Sequence, residues 1–407
     1  MTKEPPKAKA FSSLRNRNFS ILWVNTLMAN NGMQMIEVAR GWLVYTMTDS
    51  ALALGLVAAG MGIPLIVFSA LGGVVADRVK KKNLIFVTQS CLGIVNLILA
   101  ILITTQLIAL WHLVVASVLM GTIFSFSMPT RQAFIVELVT EDELTNAIAM
   151  NSVAMNVCRI ASPALAGVLI KVIGISGVYW LVVVSYVFIV FTITLIKIQG
   201  KTSVMPNVPI LHDVIAGVRF IWSHRILLPL LIIAVISILF ATSYQTLMPV
   251  FAKTIFQKGE TGLGILMSAA GVGALCGSTL LASLGDIRRK GLIMIIAGTL
   301  FGSFQIFFGF SAGFFMALVF LFFVGAGGSM YMTLIVSLIM GNTPPELTGR
   351  VMSIFTITFG LMPLAMLPAG ALAEVFGAPI VVSIGGGILV LFLFLLGASN
   401  PFVRRMD

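Results

Sequence analysis

The sequence predicts an all-α polytopic membrane protein, with twelve transmembrane helices in two six-helix bundles related by pseudo-symmetry. Three observations carry this prediction. Hydrophobic residues fill 59% of the 407 positions and charged residues only 10%, whereas soluble domains run near 45–50% apolar and about 25% charged. A helical span needs about 20 apolar residues, so twelve would take roughly 240 of them, which is what this composition supplies. Second, the basic residues sort to one side of the predicted spans. Third, a polar break near the middle of the chain separates two halves with matching loops. The composition excludes a conventional soluble enzyme.

Apolar runs bounded by charges, Pro or Gly place the spans at 19–46, 51–76, 83–106, 111–130, 143–172, 177–198, 226–251, 261–284, 291–311, 314–340, 350–374 and 379–398. Residues 1–18 are basic and contain prolines, but the segment after them carries Asn, Gln, Glu and Arg with no small-residue cleavage site, so they read as a cytoplasmic tail, not a removable signal. Residues 19–198 form the first bundle and 226–398 the second. The linker 199–225 carries a short amphipathic helix at 211–222, and 399–407 is a second cytoplasmic tail.

Of the 25 basic residues, twenty fall on one side, in the tails, in the linker and in loops that include Arg78, Lys80, Lys81, Lys82, Arg131, Arg288, Arg289 and Lys290. The other side receives Lys171, Lys253 and Lys258, while Arg40 and Arg159 remain inside spans. Membrane proteins collect Lys and Arg on cytoplasmic loops, so both termini are expected in the cytoplasm. The net charge of +11 then reports sidedness. No nucleic-acid partner is expected, because that footprint needs a basic face on a soluble element.

Cys91, Cys158 and Cys276 lie in apolar runs without CxxC spacing, and His112, His212 and His224 are scattered. No disulfide framework, metal site or cofactor is expected. The phosphate-cradling GxxxxGK[ST] loop is missing from the sequence, which argues against ATP as the driver. Nor is there a Ser/His/Asp or Cys/His arrangement suited to covalent catalysis, so the chain reads as no enzyme.

The halves echo one another. GGVVADRVKKK at 72–82 and LGDIRRK at 284–290 each set Gly and Asp before a basic cluster, and Glu143-Leu144-Thr145 returns at Glu346-Leu347-Thr348. Weak six-helix repeats of this kind mark parallel-repeat transporters. Gly73-x-x-x-Asp77-Arg78-x-Lys80-Lys81-Lys82 resembles the signature of the major facilitator superfamily of secondary transporters, with Lys80 where a second glycine is usual. Pro129-Thr-Arg131-Gln-Ala-Phe, Leu144-Thr-Asn146-Ala and Arg159-Ile-Ala-Ser-Pro163-Ala-Leu-Ala-Gly167 are similar to the subgroup containing the enterobactin exporter and macrolide efflux pumps. The resemblance implies the superfamily's fold, a bacterial inner-membrane location and transport of small molecules by alternating access.

An acid contributes little to topology, so Asp77 is expected to latch one conformation by pairing with Arg or with the positive end of a neighbouring helix. The candidate latch comprises Gly73, Asp77, Arg78, Lys81 and Lys82, with Asp286 and Arg288 in the second half. The plainer reading is that the basic members only hold topology.

Three ionisable residues fall deep in spans: Glu37, Arg40 and Arg159. A charge at that depth costs a few kcal/mol unless it is paired or faces a cavity. At 100° per residue, Thr26, Asn30, Gln34, Glu37 and Arg40 share roughly a 120° arc of span one. Burial and a nearby cation act on a carboxylate in opposite senses, which suits Glu37 to bind and release protons with Arg40 or Arg159 as the competing cation. A static ion pair near the outer mouth is the alternative. Asn30, Gln34, Tyr244 and Gln245 are candidates to line the substrate cavity, which the Met and Phe content suggests is mostly apolar.

Pro163 cannot donate to the carbonyl of residue 159 and should bend span five. Ser162-Pro163-Ala-Leu-Ala-Gly167 resembles the Gly-Pro-x-x-Gly-Gly pattern of proton antiporters in this superfamily. Gly273-xxx-Gly277 invites close helix approach in span eight. With Pro363 in span eleven, these residues are candidate hinges.

Three functions compete: proton-coupled export of amphipathic small molecules such as drugs or siderophores, uptake by proton symport, and a non-transporting sensor or assembly factor. Export fits the span-one acid and the resemblance best. The expected partners are a small-molecule substrate, protons and the lipid bilayer, and the chain is expected to be a monomer.

Overall fold

The computed structural model describes residues 12–200, 221–222, 226–285, 288–344, 347, 351–352, 354–355, 358 and 360–399. Among them the chain is helical, with no strand. A short 3₁₀ turn at Ser12–Arg15 leads into α1 (Arg17–Thr48), α2 (Ala51–Arg78), α3 (Lys81–Thr104), α4 (Leu110–Leu138) and α5 (Glu141–Thr194). The second half holds α6 (Leu227–Ile236), α7 (Ser243–Val250), α8 (Gly259–Ser283), α9 (Lys290–Gly309), α10 (Phe314–Gly341), α11 (Leu361–Phe376) and α12 (Ala378–Ser399).

Nine of the helical stretches among the described residues are long and apolar enough to cross a membrane. The first helix stands outside that group because its Asn, Gln, Glu and Arg side chains lower its hydropathy. The 54 residues of α5 would run roughly 80 Å if straight, far beyond a bilayer core of about 30 Å. It breaks at Gly174, whose φ of 74° and ψ of 171° reverse the chain in a conformation that disfavours side chains. Its two arms match predicted spans five and six.

Span seven is less regular than expected. π-helical turns at Ser237–Ala241 and Phe251–Ile255 interrupt it. Pro249 lies inside α7 and cannot donate to the carbonyl four residues back, which accounts for the widened turn just after it. The expected linker helix at 211–222, Asp286, Glu346, Arg350 and both end tails lie largely or wholly outside the described residues.

The helix boundaries have local causes. Asn16 caps α1 by accepting from the amides of Asn18 and Phe19, and its own amide reaches the carbonyl of Leu138 at 2.6 Å. Ser50 caps α2 by accepting from Ala53. The last turn of α1 closes on Asp49, which takes a left-handed conformation with φ of 48°. These two residues form the hairpin between α1 and α2 on the face away from the N-terminus, the far face; the near face carries the start of α1.

In the first half α1 packs on α5, α2 on α4, and α3 on both α4 and α5; in the second, α8 packs on α10, and α9 on α10 and α12. Across the halves, α2 meets α11 and α5 meets α8. These crossings are backbone-close. A Cβ built on Gly55 would stand 2.6 Å from the Met366 carbonyl oxygen, and one on Gly370 2.5 Å from that of Ala51. Against α5, Gly264 abuts the carbonyl of Pro163 and Gly271 that of Arg159. Gly271 thus sits on the carbonyl that Pro163 leaves without a helical donor.

Candidate functional site

A cavity of about 530 Å³ lies where the halves meet. Gln34 and Glu37 reach it from α1, Arg159 and Pro163 from α5, and Tyr244, Gln245 and Met248 from α7. The π-helical turn before α7 adds Ser237 at its start, and Thr242 comes directly after it. The remaining wall comes from α8, α9 and α10, with Met362 of α11. Ten of the twenty-one lining residues carry polar groups and four are methionines. The wall is apolar over most of its surface, as the composition suggested, and its hydroxyls all come from the second half.

Glu37 and Arg159 are both exposed to this space. Among the described residues neither forms an ion pair within 4.0 Å. Arg40 does not pair with Glu37 either; its Nη1 donates to Ser117 Oγ at 3.2 Å. The geometry of α1 explains this. Counting 100° per residue from Thr26, Arg40 stands at roughly −40°, Glu37 at roughly 20° and Gln34 at roughly 80°. Gln34 faces the central cavity, Arg40 faces the interior of the first bundle, and Glu37 stands on the edge between them. A second space of about 100 Å³ lies on the Arg40 side, and Glu37 borders that one too. Asn30 is half-buried and lines neither of these two spaces.

The candidate hinges divide. Pro163 and Gly167 stand on the face of α5 that meets α8, with Gly167 against the carbonyl of Glu260. Gly273 and Gly277 lie against α10, on the carbonyls of Phe322 and Ala326. Gly264 and Gly271, not the GxxxG pair, meet α5. Pro363 lies in the first turn of α11, one residue after Met362.

Among the latch candidates, Gly73 has open space beside it and Arg78 is exposed at the end of α2. Lys81 is buried and pairs with Glu137 of α4 at 2.6 Å. Lys82 Nζ donates to the carbonyls of Thr194 and Ile196, holding the end of α5 as cations at helix C-termini do. Arg288 is exposed. The side chain of Asp77, like Asp286, lies outside what is described.

The far face is sealed by contacts that charge counting did not reveal. Glu374 Oε2, at the end of α11, accepts from the amides of Ala51 at 2.7 Å and Leu52 at 3.1 Å and from Ser50 Oγ at 3.0 Å. It occupies the N-terminus of α2, where a carboxylate is favoured. Beside it Lys253 pairs with Asp49 and stands 5.3 Å over the Tyr45 ring, and the Tyr45 hydroxyl bonds Thr254 at 2.8 Å.

Arg131 is the other missed group. The sequence places it in a near-face loop because Pro129 ends the apolar run. The helix continues to Leu138, and Arg131 Nη1 donates to Thr26 Oγ1 of α1 at 3.2 Å. Phe134, Ile135 and Leu138, buried at helical spacing, are the signal that α4 extends past the proline.

A family model described as "Transmembrane secretion effector" matches residues 8–404. The staphyloferrin A transporter of Staphylococcus aureus is 23% identical, covering 84% of this chain and 86% of its own. Macrolide efflux protein A of Streptococcus pyogenes is 21% identical over 96% and 97%, and the enterobactin exporter of Shigella flexneri 25% over 79% and 76%. Among solved structures, a POT family transporter in complex with 5-aminolevulinic acid superimposes with a TM-score of 0.78 at 12% identity, over 96% of this chain and 97% of that one. The nucleoside transporter NupG gives 0.70 at 13% identity, over 95% and 99%. Helices of spanning length, a cavity between the halves and a family match over nearly the whole length converge: the chain belongs to the transmembrane secretion effector family of the major facilitator superfamily and is a secondary transporter.

Proposed function

We propose that the protein exports amphipathic small molecules, of the macrolide or siderophore kind, in exchange for protons, and that Glu37 is the proton-binding group. The observation that carries this reading is the position of Glu37. It faces the central cavity opposite Arg159, without an ion-pair partner among the described residues. A carboxylate at that depth gains from protonation or from a cationic neighbour, so proton and substrate would alternate in answering the same charge. Relatives named as a macrolide efflux protein and an enterobactin exporter support export. The mixed wall of methionines and hydroxyls suits substrates with both apolar and polar surface.

In this reading 19–198 and 226–398 are two six-helix bundles joined by 199–225, and the chain acts as a monomer in a bacterial inner membrane. The near face is cytoplasmic, as are both terminal tails. The far-face seal then makes this the conformation closed to the outside. Alternating access would rock α5 on α8 and α2 on α11, with Asp77 and Arg78 engaging when the near face closes.

Proteoliposomes loaded with a macrolide or an iron-free catecholate siderophore test the proposal. Imposing a pH gradient should accelerate transport in the unmodified protein. In Glu37→Gln, exchange of labelled for unlabelled substrate should persist while acceleration by the gradient is lost. Retained acceleration would remove Glu37 from coupling.

A further inference from the structure

The residues that line the smaller space beside Glu37 all belong to the first bundle. The space is lined from α1 by Glu37 and Arg40, from α3 by Asn96 and from the second arm of α5 by Tyr186, the rest being apolar. Its volume of about 100 Å³ holds about three waters. Asn96 is 1% exposed; its Nδ2 donates to Leu92, but its Oδ1 has no partner among the described residues.

Asn96 is not alone. Gln89, also 1% exposed and two turns nearer the near face on α3, gives its amide to Ser127 and leaves Oε1 without a partner. Arg131 gives Nη1 to Thr26 and leaves Nη2 bare; Asn25 accepts from Thr192 and leaves Nδ2 bare. Each of these four atoms is fully buried. A polar group without a partner in a membrane interior costs several kcal/mol, and these four atoms come from three helices of the first bundle, α1, α3 and α4. Buried groups of this kind are satisfied by internal water.

The seam of these groups has a direction. Glu37, Asn96 and Tyr186 border the chamber. Arg131, Gln89 and Asn25 lie in the near third of their helices, Asn25 roughly 12 Å along α1 from Arg17. The second bundle has a single counterpart among the described residues, Gln305.

We infer that a water-filled seam inside the first bundle carries protons between the near face and Glu37, separate from the central cavity that holds the substrate. This rests on the reading of Glu37 as the proton-binding group. Each water accepts one proton and passes on another; in the direction of export Glu37 ends as a carboxylate and one proton is delivered to the near-face solution, and a pH step can drive the same path in reverse. The seam's cations, Arg40 and Arg131, repel excess protons but orient water oxygens, while Arg159 faces Glu37 only from the substrate side. Glu37, in the middle of the α1 stripe, is then reached by proton and substrate from opposite directions.

Infrared difference spectra after a pH step, recorded on the protein in phospholipid vesicles without substrate, follow the carboxyl band that Glu37→Gln identifies. Combined Asn96→Leu and Gln89→Leu should slow the band by about tenfold or more and leave its final size unchanged. Asn96→Ser should retain the faster rate, and Gly328→Trp, which fills the central cavity, should leave the rate within about twofold. An unchanged rate in the double leucine variant overturns the seam, and slowing in Gly328→Trp as well overturns its separation from the substrate cavity. A spectrum of the unmodified protein with no Glu37-dependent band defeats the coupling reading itself, before any seam variant is measured.

Discussion

Replacing Glu374 with Gln should unseal the far face. The carboxylate oxygen accepts three hydrogen bonds from Ser50, Ala51 and Leu52, and an acid near the C-terminus of its own helix is disfavoured there unless an outside partner compensates. Charge-assisted hydrogen bonds contribute about 1.5–3 kcal/mol when protected. Glu374 is exposed, so screening brings the whole cluster down to about 2 kcal/mol. That corresponds to about a 30-fold shift: a chain sealed about 99% of the time would be open about a quarter of the time. Spin labels at Leu107, 68% exposed between α3 and α4, and at Gly313, where a Cβ meets nothing within 4 Å, report the opening by electron–electron distance measurement. Cys91, Cys158 and Cys276 are first replaced by Ala. Glu374→Gln should add a longer-distance population absent from the parent. Superimposable distributions would refute the argument, and if Lys253→Met alone added that population, the seal would reside in the Asp49 pair.

Neighbouring features lead to other outcomes. Lys81→Met removes the buried ion pair with Glu137; thermal unfolding should show a loss of about 2 kcal/mol, below the range for a fully buried pair because Glu137 keeps some solvent, and Lys81→Met with Glu137→Leu should recover part of it. Gly264→Leu drives a side chain into the α5 backbone, so the protein should purify folded but shift away from the far-face-sealed state, which the same spin-label pair would detect. Gly174→Ala forces a Cβ into positive φ and should lower stability by about 1 kcal/mol without changing substrate exchange; an unchanged melting temperature would contradict the strain assigned to that turn.

The helices were legible because a bilayer imposes length and apolarity on each segment alone, and α2, α3, α8, α9, α10 and α12 start and stop within a few residues of their predicted limits. Glu37, Arg159, Gln34, Tyr244 and Gln245 were legible as cavity residues because polar side chains deep in an apolar helix have few other places to go. What the sequence hid depends on partners distant in the chain. Glu374 gains its role from amides more than 300 residues away, and Lys81 reads as a topological charge until Glu137 stands opposite it. Asn96 and Gln89 are ordinary polar interruptions of a span unless one knows that α1, α4 and α5 turn their own polar groups toward the same interior. The π-helical turn ahead of Thr242 rotates the register of span seven, which no fixed periodicity anticipates.

Two of the three hydrogen bonds that Glu374 accepts come from the main chain, and that has an evolutionary consequence. Amides are present at residues 51 and 52 whatever side chains those positions carry, proline excepted. Drift there leaves the seal intact, and no compensating change at 374 is ever demanded. Covariation between α2 and α11 would therefore miss this contact, and selection would register as an acid retained at a single position with no partner changing in step. Swapping the first bundle of one relative for that of another should preserve the seal wherever the recipient keeps an acid at the end of α11.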